Sequence, residues 1–103
     1  MPVLEASACG LPVICTAGGP TDDFVADEFA LKIRSSLQVL GVPDQPAAMG
    51  LIPDLPHLAQ LMLQVTNDAA FRASAREAGP KWVAERYTWA KVTDRLLQVL
   101  LQR

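Results

Sequence analysis

The sequence has few of the residues that build disulfide frameworks and metal sites. It contains two cysteines and one histidine among 103 residues. Neither a disulfide-stabilised fold nor a metal site is expected from so few of these residues. Lysine and arginine form no run and the net charge is −2, which argues against electrostatic binding to nucleic acid or anionic lipid. No apolar stretch approaches the roughly 18–20 residues that cross a membrane. With no basic-then-apolar leader at its start, the chain is expected in the reducing cytoplasm.

What is present indicates a globular chain. Half of the residues are hydrophobic and 19% are charged, which is typical of one domain or part of one. Cys9 and Cys15 are expected to be small buried apolar residues. The chain opens directly on the helix-like segment MPVLEA, and such a start without a lead-in is expected of a piece of something longer.

Short apolar and β-branched runs in the first forty residues predict buried strands. They cover residues 12–16, about 29–34 and, more briefly, 37–40. Residues 1–9 predict a short helix that ends at Gly10.

The second half predicts helices after a proline-rich stretch. Residues 41–56 hold four of the eight prolines and predict a loop or a tight connection and not a regular element. Asp54 and Thr88 stand where helix N-caps are expected, and Asn67-Asp68 is expected to start the helix between them. Gly79-Pro80 predicts a kink or break within that middle helix. Early unalternating strands followed by helices predict an α/β layer and not an all-helical bundle.

Three conspicuous side chains have interpretations that need no ligand. Trp82 and Trp89 fall on apolar helix faces, so core packing is expected for both. His57 lies in a first helical turn with no second histidine or paired acid at ligand spacing, so an exposed surface position is expected. No set of nucleophile, base and acid can be assembled, and no catalytic residue is assigned.

Glu5 is the strongest candidate for a binding residue. It lies about one turn into the first predicted helix, whose N-terminal N–H groups form a natural anion site. A carboxylate there can accept two hydrogen bonds from a vicinal diol while a phosphate rests against the helix start, as in nucleotide-binding α/β domains. Alternatively, Glu5 only complements the helix dipole, which contributes ~0.3–1 kcal/mol. The residues alone leave both interpretations open.

The turn GGPTD at residues 18–22 also allows two interpretations. Its glycines would let the backbone approach a phosphate closely, but it matches neither a Walker loop nor a three-glycine dinucleotide fingerprint. A strand-to-helix turn explains it equally, with Thr21 as the cap and Asp22 and Asp23 near the positive end of a short helix.

Residues 2–14, PVLEASACGLPVI, closely resemble a segment of glycosyltransferase family four, of the GT-B fold. In that family a pair of glutamates separated by seven residues is followed by A-x-A-C/S-G-x-P-V-I and a glycine-rich turn. Glu5 matches the second glutamate, residues 17–24 resemble the turn, and residues 86–89 resemble the family's R/H-F-S/T-W segment. The first glutamate, the basic pair that faces the pyrophosphate, the base-binding strand and the acceptor domain would all lie before Met1.

The resemblance implies a partial Rossmann-like, three-layer α/β domain. Residues 1–88 would be the C-terminal portion of a nucleotide-sugar-binding domain, and residues 89–103 a closing helix that crosses to an N-terminal domain. Glu5 would bind the ribose hydroxyls of a UDP-, GDP- or ADP-sugar, and the backbone near Met1 would lie by the pyrophosphate. The implied chemistry is hexosyl transfer with retention, without a metal or another cofactor.

Three functional hypotheses follow. The first is part of the donor-binding domain of a retaining glycosyltransferase, inactive alone because the groups that stabilise developing phosphate charge would lie upstream. The second is a stand-alone interaction module that self-associates through its apolar surface, motivated by the apolar face of residues 89–100. The third is a relative of nucleotide-sugar epimerases of the same fold, which the Glu5 segment fits less well.

Overall fold

The computed structural model describes residues 2–39, 41 and 49–102. The elements in chain order are α1 (Pro2–Ala8), β1 (Val13–Thr16), a 3₁₀ helix (Pro20–Phe24), β2 (Ala30–Ile33), β3 (Ser35–Val39), β4 (Met49–Pro53), α2 (Leu55–Asn67), α3 (Ala69–Arg86) and α4 (Trp89–Leu101). The chain is therefore α/β, with short parallel strands early and helices late, as predicted. This arrangement is compatible with a partial Rossmann-like domain.

The strands form two small sheets. β1 and β2 pair in parallel with Val13 opposite Ala30, which confirms both predicted strands. β3 and β4 pair antiparallel, and β3 covers most of the predicted third strand, whose last residue, Leu40, lies outside the described residues.

The loop predicted over residues 41–56 is wrong at its C-terminal end. Met49–Pro53 forms β4 and Leu55 begins α2, whereas residues 42–48 lie outside the described part of the chain. Among the strands of the described ranges, β4 pairs with β3 alone. A strand at a sheet edge tolerates a proline such as Pro53, because its missing N–H interrupts no second ladder.

A tight reversal joins α1 to β1. Gly10 has φ 79°, in the left-handed region that a glycine adopts without steric penalty. The N–H groups of Gly10 and Leu11 donate to the carbonyls of Ser7 and Ala6 at 3.0 and 3.1 Å. Because the connection is so short, α1 runs back along β1, and the first turn of α1 lies at the edge of the sheet where β1 ends.

The hydrophobic core joins the parallel strands to α1 and α3. Its buried cluster consists of Val13, Cys15, Val25, Phe29, Ala30 and Ala75. Phe29 is fully buried, and the ring of Trp82 meets it edge-on at a centroid distance of 6.1 Å. The predicted core role of Trp82 is thereby confirmed.

Two predicted core residues are exposed instead. Trp89, the first residue of α4, has 87% of its surface exposed, because no residue of α4 is buried by the described part of the chain. Cys9 is also exposed, whereas Cys15 is buried in β1 as predicted. Cys9 lies between the last residue of α1 and Gly10 and is not part of the buried cluster.

The predicted N-caps Asp54 and Thr88 are confirmed, and Asp68 caps the helix that was expected to start at Asn67-Asp68. The side chains of Asp54, Asp68 and Thr88 each accept a hydrogen bond from the backbone N–H three residues further on, at 3.1, 2.9 and 3.3 Å. These bonds satisfy N–H groups that would otherwise lack a partner at the helix start.

α3 passes Pro80 without a break, so the predicted break at Gly79-Pro80 is wrong. A proline costs about 3 kcal/mol in a helix interior. Ala75 and Gly79, which precede it, are both buried and hold this part of α3 against the core and α1. Tertiary packing therefore outweighs the local preference.

Candidate functional site

Glu5 lies in the first turn of α1, which contacts the 3₁₀ helix that follows the carboxyl end of β1. Open α/β domains bind ligands in the crevice outside the carboxyl ends of their strands. The side chain of Glu5 is exposed. The predicted site residue therefore lies on the side of the sheet where this architecture places ligands.

Glu5 borders a cavity of about 410 Å³. The other lining residues are apolar or aromatic: Leu4, Phe24, Tyr87, Trp89 and Val92. Small-molecule pockets have volumes of roughly 300–1,000 Å³ and are mostly apolar with a few placed polar groups. Among the described residues that line this cavity, Glu5 alone carries a charge, so the site combines one carboxylate with an apolar wall.

Contacts between distant parts of the chain hold the cavity walls together. The Tyr87 hydroxyl donates to the Asp23 carbonyl at 2.8 Å, and the rings of Phe24 and Tyr87 lie 5.5 Å apart. The indole N–H of Trp82 donates to the Phe24 carbonyl at 3.2 Å. The end of the 3₁₀ helix is thus fixed against the end of α3, which positions the start of α4 beside α1.

These walls are a part of the site that the residues alone did not reveal. Phe24 and Tyr87 carry no ligand signal of their own, and Trp89 was expected in the core. One feature of the sequence could have indicated these walls, namely the family resemblance of residues 17–24 and 86–89. Both segments meet Glu5 at one cavity.

The glycine turn after β1 is closed by its own neighbours. Gly18 has φ 81°, and its N–H donates to the Asp22 carboxylate at 2.8 Å. The other carboxylate oxygen of Asp22 lies 3.5 Å from the Lys32 ammonium. A phosphate approaching Gly18 would meet a carboxylate already bound there, so the geometry favours the interpretation as a structural turn.

The predicted capping role of Thr21 is wrong. Gly19 occupies the N-cap of the 3₁₀ helix and makes no side-chain cap bond, because glycine has no side chain to offer. Pro20 follows it, and a proline suits a first helical position because its missing N–H needs no cap. Asp22 and Asp23 do lie in the first turn, as predicted.

His57 is half-buried and makes a specific hydrogen bond, so the prediction of a surface histidine is wrong. Its Nδ1 accepts the backbone N–H of Arg34 at 2.8 Å. The Asp54 N–H donates to the Arg34 carbonyl, also at 2.8 Å, and the Arg34 guanidinium lies 3.6 Å from the Asp54 carboxylate. His57 therefore ties the start of α2 to the segment between β2 and β3, which is a structural role.

The described ranges contain no cluster of three or more histidine, cysteine, aspartate or glutamate side chains that could hold a metal ion. None of the helices found there is long and apolar enough to cross a membrane. Met1, the second predicted site residue, lies outside the described residues.

Comparison with known proteins relates the chain to a glycosyltransferase. Over 97 residues it is 27% identical to the GDP-mannose-dependent monoacylated alpha-(1-6)-phosphatidylinositol monomannoside mannosyltransferase of Corynebacterium glutamicum. The match covers 94% of this chain and 21% of that relative, so the chain spans only that share of the relative's length. No protein-family model matches the chain, and no solved structure does.

Proposed function

We propose that the chain is part of the nucleotide-sugar-binding domain of a retaining glycosyltransferase. Residues 1–88 belong to the donor domain, and residues 89–103 form the closing helix that packs on an N-terminal acceptor domain. The main support for this proposal is the position of Glu5 on a cavity where the segments that resemble glycosyltransferase family four meet. The relative's name specifies GDP-mannose, which makes GDP-mannose the first donor to test and a mannosyl group the first candidate for transfer.

In this proposal Glu5 accepts hydrogen bonds from the two ribose hydroxyls of the donor. An ionised carboxylate has two oxygens that only accept, so it suits a vicinal diol. By the same resemblance, Met1 stays the second proposed donor-binding residue, on the pyrophosphate side. Transfer with retention then follows when the bond between the anomeric carbon and the phosphate oxygen breaks. The acceptor hydroxyl attacks that carbon on the same face, and the leaving phosphate takes the proton of the hydroxyl.

The same proposal makes the 103-residue chain inactive alone. Transfer requires that negative charge developing on the leaving phosphate be stabilised by preorganised positive groups. Among the described residues that line the cavity there is no lysine or arginine. A cytoplasmic location is part of this proposal, and Cys9 and Cys15 are free, as thiols are in a reducing compartment.

The overall dimensions support the view that this chain packs against further protein. It exposes 7483 Å² of accessible surface, whereas a compact monomer of its mass exposes about 5,700 Å². Its radius of gyration is 16.9 Å, compared with about 13 Å for a compact domain of this length. The excess on this chain alone is larger than the ~800 Å² per partner that a standard protein interface covers.

We expect Glu5→Gln to weaken GDP-mannose binding by about tenfold, because charge-assisted hydrogen bonds to the ribose are lost. The dissociation constant is measured by NMR titration of the ¹⁵N-labelled chain up to millimolar donor, since binding is expected to be weak. Glu77→Gln is the matched control, with the same charge change on an exposed side chain of α3 away from the cavity. Equal affinities of wild type and Glu5→Gln would contradict the role of Glu5, and mannose transfer by the wild-type chain would contradict its inactivity.

A second candidate function is self-association through α4. Trp89, Leu96 and Leu100 lie along one side of this helix and are 87%, 54% and 68% exposed. Exposed apolar stripes of this kind mark interaction surfaces.

If α4 mediates self-association, we expect Leu100→Glu to convert associated wild-type chain to monomer, because a charge would be buried at the contact. Gln98→Glu is the control, since it adds the same charge about half a turn away, on the polar side of the helix. Analytical ultracentrifugation at increasing concentration measures the outcome. A wild-type chain that stays monomeric throughout would rule out this candidate.

A further inference from the structure

His57 makes a hydrogen bond that only a neutral imidazole can accept. Its Nδ1 accepts the backbone N–H of Arg34 at 2.8 Å, so Nδ1 carries a lone pair and no proton in this arrangement. In a protonated imidazole both ring nitrogens are donors. An Nδ1–H would then face the Arg34 N–H, and two donors cannot bond each other. The contact therefore exists in one protonation state of His57 and not in the other.

This bond lies at the base of the hairpin that β3 and β4 form. Arg34 directly precedes β3, and its carbonyl accepts the N–H of Asp54, which directly follows β4, at 2.8 Å. His57 is in the first turn of α2. Its bond to Arg34 therefore joins the first end of the hairpin to the helix that follows the second end.

The order of the hairpin depends largely on contacts near its base. β3 and β4 form a two-stranded sheet, and a hairpin of two strands is at best marginally stable by itself in water. The four residues of β3 that follow Ser35 are exposed, so they bury little apolar surface. The Ser35 hydroxyl donates to the Ala17 carbonyl at 2.7 Å, and Leu51 lies against Gly19. Loss of one bond at the base is therefore expected to loosen the whole hairpin.

The charges beside His57 leave its neutral form favoured. The Asp54 carboxylate accepts the backbone N–H of His57 at 3.1 Å, and it also lies 3.6 Å from the Arg34 guanidinium, which balances its charge. The imidazole is in the first turn of α2, where the helix dipole disfavours a positive charge. The Arg34 N–H adds a second partial positive charge directed at Nδ1.

The elements that pack on α2 direct their charged groups elsewhere. α2 contacts β2 and α3. In β2, the Lys32 ammonium lies 3.5 Å from the Asp22 carboxylate. In α3, the Arg72 guanidinium donates at 2.7 Å to two carbonyls in the last turn of α2, whereas His57 is in the first turn. The bond to Arg34 is therefore the contact that protonation of His57 changes most directly.

We propose that His57 is a pH-sensitive lock at the base of the β3–β4 hairpin, in which the neutral imidazole holds the hairpin to α2 and the protonated imidazole releases it. Histidine is the side chain that ordinarily changes charge between pH 5 and 8. Because the neutral form makes the bond, its stabilisation is present at the upper end of this range and is lost as the pH falls. The lock does not depend on what the Glu5 cavity binds.

The test compares the wild-type chain with His57→Asn and His57→Leu at about pH 7.5 and about pH 5.5, within the histidine range. Asparagine offers an acceptor oxygen that does not titrate, whereas leucine offers none. Amide hydrogen exchange, followed by NMR, gives the protection of the Arg34 N–H at each pH. Relative to His57→Asn, wild-type protection is expected to fall about fivefold at the lower pH, the loss of one hydrogen bond. His57→Leu should show the lower protection at both pH values.

The Ala30 N–H, which donates to the Ala26 carbonyl in the core, is the internal control and should keep its protection. A wild-type ratio to His57→Asn that is the same at both pH values would overturn the lock. An equal loss at Ala30 would also overturn it, because the whole fold and not the hairpin would then open.

A second measurement needs no variant. His57 is the one histidine in the sequence, so an imidazole titration seen by NMR belongs to it. The Arg34 amide proton signal is expected to shift along the same titration curve. An Arg34 signal that stays in place while the imidazole titrates would contradict the proposal even if neither variant folds.

Discussion

Replacing Phe29 by alanine is expected to lower the free energy of unfolding by about 3–5 kcal/mol. Phe29 is fully buried in a core made mostly of small side chains such as Ala30 and Ala75, so its neighbours cannot extend into the space that the ring leaves. Natural domains are stable by only about 5–15 kcal/mol. Phe29→Ala should therefore unfold at a much lower urea concentration, measured by circular dichroism, or fail to fold.

Two companion variants make this prediction specific. Phe29→Leu keeps most of the apolar volume and should cost about 1.5 kcal/mol or less. Leu37→Ala removes an apolar side chain that is 61% exposed in β3, and a surface change of this kind should stay within about 0.5 kcal/mol of wild type. Similar losses for Phe29→Ala and Leu37→Ala would show that the core is not centred on Phe29.

The helix starts could be predicted from the sequence because their signals are local. Asp54, Asp68 and Thr88 each bond a backbone N–H three residues away, so no distant contact decides the outcome. The same holds for the reversal at Gly10, whose positive φ requires a glycine at that point of the chain.

β4 and the continuity of α3 could not be predicted because both depend on distant partners. Met49–Pro53 lies in a proline-rich stretch that indicates a loop, but it pairs with Ser35–Val39, and that pairing is not a property of its own residues. In α3, burial of Ala75 and Gly79 holds the helix together across Pro80.

In the candidate site, too, the local feature could be predicted and the contacts between distant residues could not. Glu5 could be named as a candidate from its place in a short helix together with the family resemblance, and its role in binding stays a prediction. The walls of its cavity could not, because Tyr87 reaches Asp23 across 64 positions of the chain. The prediction for Trp89 was wrong because an amphipathic pattern shows that a helix face favours apolar contact, but not whether this chain supplies that contact.

Gly79→Ala is expected to destabilise the chain by about 2–3 kcal/mol, the cost of forcing extra volume into a packed interface. The helix preference of the residue predicts the opposite, since alanine favours a helix interior over glycine by about 1 kcal/mol. A Cβ at Gly79 would, however, overlap the carbonyl oxygen of Ser7. That oxygen is a backbone atom, so it can yield only if α1 shifts as a whole.

Gly41→Ala is the matched control, because a Cβ there meets nothing within 4 Å, and its urea unfolding midpoint should stay close to that of the wild type. Since α1 also carries Glu5, the shift that Gly79→Ala forces should weaken GDP-mannose binding in folded chain, although Gly79 does not line the cavity. A Gly79→Ala chain that is more stable than wild type would show that α1 and α3 are not in backbone contact. The same result would contradict the packing of α1 on α3, which places Glu5 beside Tyr87 and Trp89.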